Sequence, residues 1–244
     1  MLSEKPWNAG RTLRWLFTAL AGGASILLVL ALVGRLTGDP KLEKSPELQT
    51  LMGILGLHGA ILLATGYVLG SERIPWSEAF GWRRGDAGRA LRWGAGMGLA
   101  LLPLSALLQG LSTVLLKWLH VTLTEEQAVQ NLKDAHSVAG QLLMVAFAVV
   151  IAPVAEEILF RGVLYPTVRQ AGYPRLAWWG TAVLFGAIHG NAGVFLPLTA
   201  LAWVLTWLYN RTDNLLAPIT AHAVFNSCNV VLLLLNERYH FADP

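Results

Sequence analysis

The chain has 244 residues, 55% of them hydrophobic and 14% charged, with ten tryptophans and a formal net charge of +3. A soluble globular domain carries about 25% charged residues, so that class is excluded, and so small a surplus of positive charge fits membrane orientation and excludes a nucleic-acid partner. The single cysteine, Cys228, excludes a disulfide framework or a cysteine metal cluster within the chain.

Apolar runs of about 20 residues match the length of helix that crosses a ~30 Å hydrocarbon core. They predict spans at 15–34, 48–70, 94–116, 140–168, 174–190, 193–209 and 214–235. The first run is too long for a signal-peptide core and has no convincing cleavage site after it, so it reads as a retained span. The fourth is long and broken only by charged residues, and the fifth and sixth are short, joined by a tight turn at Gly190-Asn191-Ala192-Gly193. The fold class is all-α, a polytopic transmembrane helical bundle of seven to eight transmembrane helices, forming one membrane domain over 1–244.

Lys and Arg set the orientation of such a bundle. With seven spans and the N-terminus inside, the cytoplasmic face holds Lys5, Arg11, Arg14, Arg73, Arg83, Arg84, Arg89, Arg92, Arg169, Arg175 and Arg211. The other face holds Arg35, Lys41, Lys44, Lys117, Lys133 and Arg238. The expectation is an integral multi-pass protein of a prokaryotic plasma membrane with a cytoplasmic N-terminus. The loop Ser71 to Trp93 mixes Arg with Trp and Phe and reads as an interfacial segment. In the loop Leu119 to Ser137, Thr124-Glu125-Glu126-Gln127 is a capping-box pattern opening a short surface helix, which makes Glu125 and Glu126 solvated charges.

Six ionisable residues fall inside the spans: His58, Glu156, Glu157, Arg161, His189 and His222. A charged residue at mid-helix costs ~3 kcal/mol on insertion scales, so three within Glu156 to Arg161 call for partners or a function. Glu157 and Arg161 are four apart and share a helix face, where they can pair as a structural unit. Glu156 points about 100° away and is the candidate reactive carboxylate, with Pro153 loosening the helix just before it. At 1.5 Å per residue from the Arg-rich face, Glu156 lies ~20 Å deep, His189 ~22 Å, His222 ~14 Å and Asn226 ~20 Å. Three helices therefore deliver these groups to one layer. His58, in GLHGAILL without a polar companion at helical spacing, reads as a histidine that hydrogen-bonds a neighbouring helix and does no chemistry, and Cys228 as a small packing residue.

One carboxylate, two imidazoles and a carboxamide in a buried pocket suit activation of water for amide hydrolysis. A buried Glu156 could take a proton from water, His189 could hold that water or ligate a metal that acidifies it, and His222 with Asn226 could face an oxyanion. The spacing is not the HExxH of common zinc proteases. Glu156-Glu157-Ile158-Leu159-Phe160-Arg161 resembles the EExxxR motif of the CAAX prenyl protease and bacteriocin-processing family of intramembrane proteases. Phe185-Gly186-Ala187-Ile188-His189 is similar to that family's FxxxH motif, and His222-Ala223-Val224-Phe225-Asn226 to its HxxxN motif, in the family's order. The resemblance covers Pro153 to Cys228, within a catalytic core at 138–235.

The resemblance implies an intramembrane endopeptidase with Glu156, His189, His222 and Asn226 as catalytic residues and Glu157, Arg161 and Phe185 in support. It implies a peptide or protein substrate, with lipid-modified and membrane-bound substrates both in range, and a lipid bilayer around the enzyme. The family carries a metalloprotease label, and a metal-free glutamate mechanism is also proposed for it. Glu156, His189 and His222 could supply three ligands to Zn2+, or work on water with no cofactor. Two other classes compete with proteolysis: a non-catalytic membrane scaffold or immunity factor, and a proton-coupled transporter.

Overall fold

A computed structural model describes residues 2–37, 52–82, 86–122, 124–135 and 137–239, all the regular structure among them being helical. The predicted start of the second span at 48–51, and Lys41, Lys44, Arg83 and Arg84 of the charge tally, lie outside the described residues, as does the side chain of Arg238. We number the helices α1 (Ala9–Thr37), α2 (Met52–Ser71), α3 (Trp76–Phe80), α4 (Ala87–Trp118), α5 (Gln127–Asp134), α6 (Val138–Gln170), α7 (Pro174–Ile188), α8 (Ala192–Thr212) and α9 (Leu216–Tyr239). Six of them, α1, α2, α4, α6, α8 and α9, are long and apolar enough to cross a membrane.

The helical bundle is as expected, and the fifth predicted span, 174–190, is short, as the sequence suggested. Its helix, α7, has 15 residues, about 22 Å, because Pro174 opens it and Gly190, at φ 64°, stops it. It nevertheless runs from one face of the bundle to the other. The Arg-rich face gathers the N-terminal segment, the α6–α7 turn and the α8–α9 turn: Gln170 bonds the backbone of Lys5 and Trp7, and Lys5 Nζ sits 2.8 Å from Asp213. On the opposite face Asn191, just after α7, donates to the Thr124 carbonyl at 2.9 Å. The tight turn expected at Gly190–Gly193 is present, with the Asn191 side chain accepting from Gly193 N as the cap of α8.

Close helix approach follows from small residues, as it must where lipid supplies no hydrophobic drive between helices. Gly94 and Gly98 on α4 are four apart and lie against α9. A Cβ at either would stand 2.6 Å from a carbonyl oxygen, of Ala217 and Ala221 respectively. The loop expected at the interface is more deeply packed than its composition suggests. Phe80 is fully buried among Trp7, Trp76 and Trp82, while Arg89 pairs with Asp86 at 3.1 Å.

The helix α6 is not a regular α-helix broken by charge. Its backbone widens into π turns at Phe147–Ile151 and Ile158–Leu164, and α2 does the same at Leu55–Gly59. Such turns insert a residue into the helical register and re-aim the side chains around it. All three surround the polar interior of the bundle.

Candidate active site

The first π turn of α6 has a cause in the sequence. Within it the Ala152 N–H bonds the Phe147 carbonyl, five residues back. The next donor in that register would be residue 153, which is proline and has no N–H, so the Ala148 carbonyl is left without its helical partner. The side-chain amide of Asn226 on α9 fills the vacancy, donating to Ala148 O at 2.8 Å. Asn226 is therefore bound to the very bend that precedes Glu156, and its second amide hydrogen is not committed to any described residue.

Immediately beyond, Glu157 and Arg161 pair as the four-residue spacing predicts, at 2.7 Å and with 0% and 1% of their side chains exposed. Arg161 also donates to the Ala202 carbonyl at 2.8 Å and lies over the Phe185 ring at 5.0 Å. Glu157 has a further partner that helical spacing could not reveal: His222 Nδ1 donates to the same carboxylate oxygen at 3.0 Å. The pair is thus the inner end of a chain Arg161–Glu157–His222 joining α6 to α9. A hydrogen on Nδ1 leaves Nε2 of His222 turned to Glu156, 3.9 Å from Oε2.

His189 reaches the same state by a different route. It caps the C-terminus of α7, and its Nδ1 donates to the Phe185 carbonyl at 2.7 Å, four residues back. Its Nε2 is then free of the backbone. Phe185, fully buried, touches Phe160, His189 and His222 with ring centroids 5.1, 5.0 and 5.8 Å away, so it spaces both imidazoles.

A cavity of ≈ 420 Å³ joins these groups: Glu156, His189, His222 and Asn226 all line it. His58 meets a neighbouring helix, as expected, and its partner there is the candidate base: the π turn at Leu55–Gly59 swings it toward α6, where its Nε2 lies 3.4 Å from Glu156 Oε1, and it too lines the cavity. Its ring stands edge-on to Phe147 at 4.9 Å. One sequence reading needs correction: Glu126 is not a solvated charge. Thr124 does not cap a helix there; α5 begins only after Glu126, so the turn carries Glu126 inward, half-buried, against the cavity. Burial pushes its carboxyl above the usual glutamate range, His189 opposing this and Glu156 adding to it. Glu125 does remain outside, paired with Lys133 at 2.5 Å.

Three other polar residues among those described line the cavity wall, Ser105 and Gln109 on α4 and Asn229 on α9. Ser105 and Gln109 are four apart, a spacing that puts them on one face of α4 and was open to reading in the sequence. Cys228 is half-buried and is not among the cavity-lining residues. Among the described residues no three His, Cys, Asp or Glu side chains converge as a metal site requires, so the donor set does not fit a three-ligand zinc centre as it stands. What the arrangement can do without one is accept protons: Glu156, His189 Nε2 and His222 Nε2 all present lone pairs to one enclosed space.

Comparison with known proteins adds the following. Residues 138–228 match the family model described as type II CAAX prenyl endopeptidase Rce1-like. Over 92 residues the chain is 29% identical to "Putative membrane peptidase YdiL" of Bacillus subtilis (strain 168), a stretch that is 38% of each chain. It is 30% identical over 87 residues to "Uncharacterized protein YpbD" of the same strain, covering 34% of this chain and 42% of that one. It is 28% identical over 106 residues to "UPF0177 protein YaiF" of Lactococcus lactis subsp. lactis (strain IL1403), covering 43% and 46%. The matched stretch spans less than half the length of each of these curated relatives. No solved structure matches.

Proposed function

We propose, from the match of residues 138–228 to the type II CAAX prenyl endopeptidase Rce1-like family model, that this chain is an intramembrane endopeptidase that hydrolyses a peptide bond with a water activated by Glu156. The observation that carries the reading is the cavity: a carboxylate inside a membrane bundle, flanked by His58 and His222, in a space that His189 and Asn226 also line. We assign the cytoplasm to the Arg-rich face that holds the N-terminus, and a prokaryotic plasma membrane as the setting.

In this mechanism the peptide carbonyl enters the cavity and a water donates one hydrogen to Glu156 and the other to His189 Nε2. Glu156 takes the proton as the water oxygen bonds the carbonyl carbon, and the carbonyl electron pair becomes an oxyanion. Asn226 can donate its free amide hydrogen to that oxygen. His222 can donate from Nε2 only when its ring carries both protons, with Glu157 accepting from the other nitrogen. Collapse expels the amine, which takes its proton from Glu156. Glu157 and Arg161 do not touch substrate; they hold His222 and close the charge count on that side of α6. The substrate is a peptide or protein, drawn from the membrane or bearing a lipid.

The test is Glu156→Gln in purified protein reconstituted in lipid. Cleavage of peptides that the wild type cuts is expected to fall at least about a hundredfold, with folding retained. Undiminished cleavage would remove Glu156 from the role of base.

A further inference from the structure

One carboxylate at the cavity is not used by the hydrolytic scheme. Thr124-Glu125-Glu126 and the amphipathic α5 form a roof over the cavity on the face opposite the Arg-rich one, with Val129 and Leu132 lining it below. The roof is tied down beside the reacting groups, because Asn191, two residues after His189, bonds the Thr124 carbonyl. The two adjacent glutamates have opposite fates. Glu125 is exposed and neutralised by Lys133, whereas Glu126 is turned inward, and no salt bridge reaches it among the described residues.

The rest of the lining makes that charge conspicuous. Among the described residues the cavity wall is mostly aliphatic and aromatic, and neither Lys nor Arg lines it. A carboxylate at the mouth of an apolar enclosed groove, second to the one that does chemistry, attracts a cation and repels an anion through a medium less polar than water. Holding it half-buried with no salt-bridge partner among the described residues costs stability, and a cationic ligand would reduce that cost.

Resting on the proteolytic reading above, we propose that Glu126 is a specificity-determining residue that selects apolar peptide segments carrying a Lys or Arg beside the scissile region. Glu126 pairs with the cationic side chain at the cavity mouth while the apolar part of the peptide occupies the space above Glu156. An acidic residue in the same place faces two carboxylates and is rejected.

The experiment uses the full chain carrying Glu156→Gln, reconstituted in nanodiscs of zwitterionic lipid so that no lipid charge intervenes. The probes are fluorescent apolar peptides identical except for one Lys, Gln or Glu. The Lys peptide is expected to bind about tenfold more tightly than the Gln peptide, and the Glu peptide more weakly still. Adding Glu126→Gln should bring the three within about twofold of one another, whereas adding the outward-facing Glu125→Gln should leave the order intact. An order that survives Glu126→Gln, the absence of any charge preference, or no binding at all would overturn the proposal. The same peptides offered to the wild type separate the two claims. Charge-ordered binding without cleavage sinks proteolysis and leaves the selectivity, and cleavage without charge order does the reverse.

Discussion

Replacing Arg161 by methionine keeps most of its length and its contact with the Phe185 ring, and removes only the charge and the hydrogen bonds. What remains is a Glu157 carboxylate with none of its side chain exposed, holding one hydrogen bond from His222 at 3.0 Å in place of a 2.7 Å ion pair. The Ala202 carbonyl loses its 2.8 Å partner as well, although Thr206 still bonds it at 2.9 Å. Breaking a buried pair by removing one member costs about 3–5 kcal/mol, most of it the uncompensated charge left behind. Arg161→Met is therefore expected to destabilise the bundle by that amount, measured by unfolding in fixed detergent micelles. Adding Glu157→Gln removes the stranded charge and keeps an oxygen for His222 to donate to. The double variant should recover to within about 1–2 kcal/mol of the parent. A single variant costing less than about 1 kcal/mol, or a double variant less stable than the single, would refute the view of Arg161 as the counter-charge of Glu157.

Other consequences follow from the same geometry. His58→Phe removes the 3.4 Å contact with Glu156 and should lower kcat about tenfold at similar KM, while His58→Gln, which can still donate at that position, should retain most of the rate. Gly98→Val drives a side chain into the Ala221 carbonyl and Val224 of α9, so melting should reveal a loss of about 1–3 kcal/mol, with Gly96→Ala, whose Cβ meets nothing, as the neutral control. Burial works to raise the Asp213 carboxyl, but hydrogen bonds from Lys5 and Ser3 and the Lys5 charge hold it below the ordinary aspartate range. Its contribution to stability is present above that range and is lost as pH falls through the depressed value. Asp213→Asn should accordingly flatten the acid side of the melting-temperature profile and leave the neutral side parallel to the parent.

The part of the site legible in the sequence was the part encoded by spacing within one helix. Glu157 and Arg161 met because residues four apart meet, and the three motifs pointed to groups that do share one cavity. The unreadable parts depended on departures from the regular helix. His58 had no polar neighbour at helical spacing because its neighbour, Glu156, is on another helix, and a π turn had to re-aim it. Glu126 was misread because Thr124 and Gln127 have the residue types of a capping box, yet the helix begins after Glu126 and the Asn191 bond takes Thr124 elsewhere. Six predicted spans correspond to helices able to cross a membrane, but α1 and α4 run past the predicted bounds at both ends, because their polar terminal turns carry no apolar signal. The short α7 ends two residues before the predicted stop because its stop is a glycine conformation and not a change in hydropathy.

Both imidazoles proposed as catalytic, His189 and His222, are fixed through Nδ1, one by a backbone carbonyl and one by a carboxylate, and this bears on the question of metal. With those hydrogens committed, His189 and His222 each offer an Nε2 lone pair, and Glu156 offers two oxygens. An acceptor-rich pocket of that kind suits either a water, which brings two hydrogens to be accepted, or a cation. We propose the water, on the separations. Two ligands of a tetrahedral zinc stand about 3.3 Å apart when each bond is about 2.0 Å. His222 Nε2 and Glu156 Oε2 are 3.9 Å apart, and no third donor joins them in ligand geometry among the described residues. The spacing instead leaves room for groups that share hydrogens with a small guest. The expected outcome is that cleavage persists after exhaustive chelation, with no stoichiometric metal by elemental analysis. Loss of activity on chelation, restored by zinc and by no alkaline-earth ion, would mean that Glu156, His189 and His222 close around an ion and that the water is activated by it.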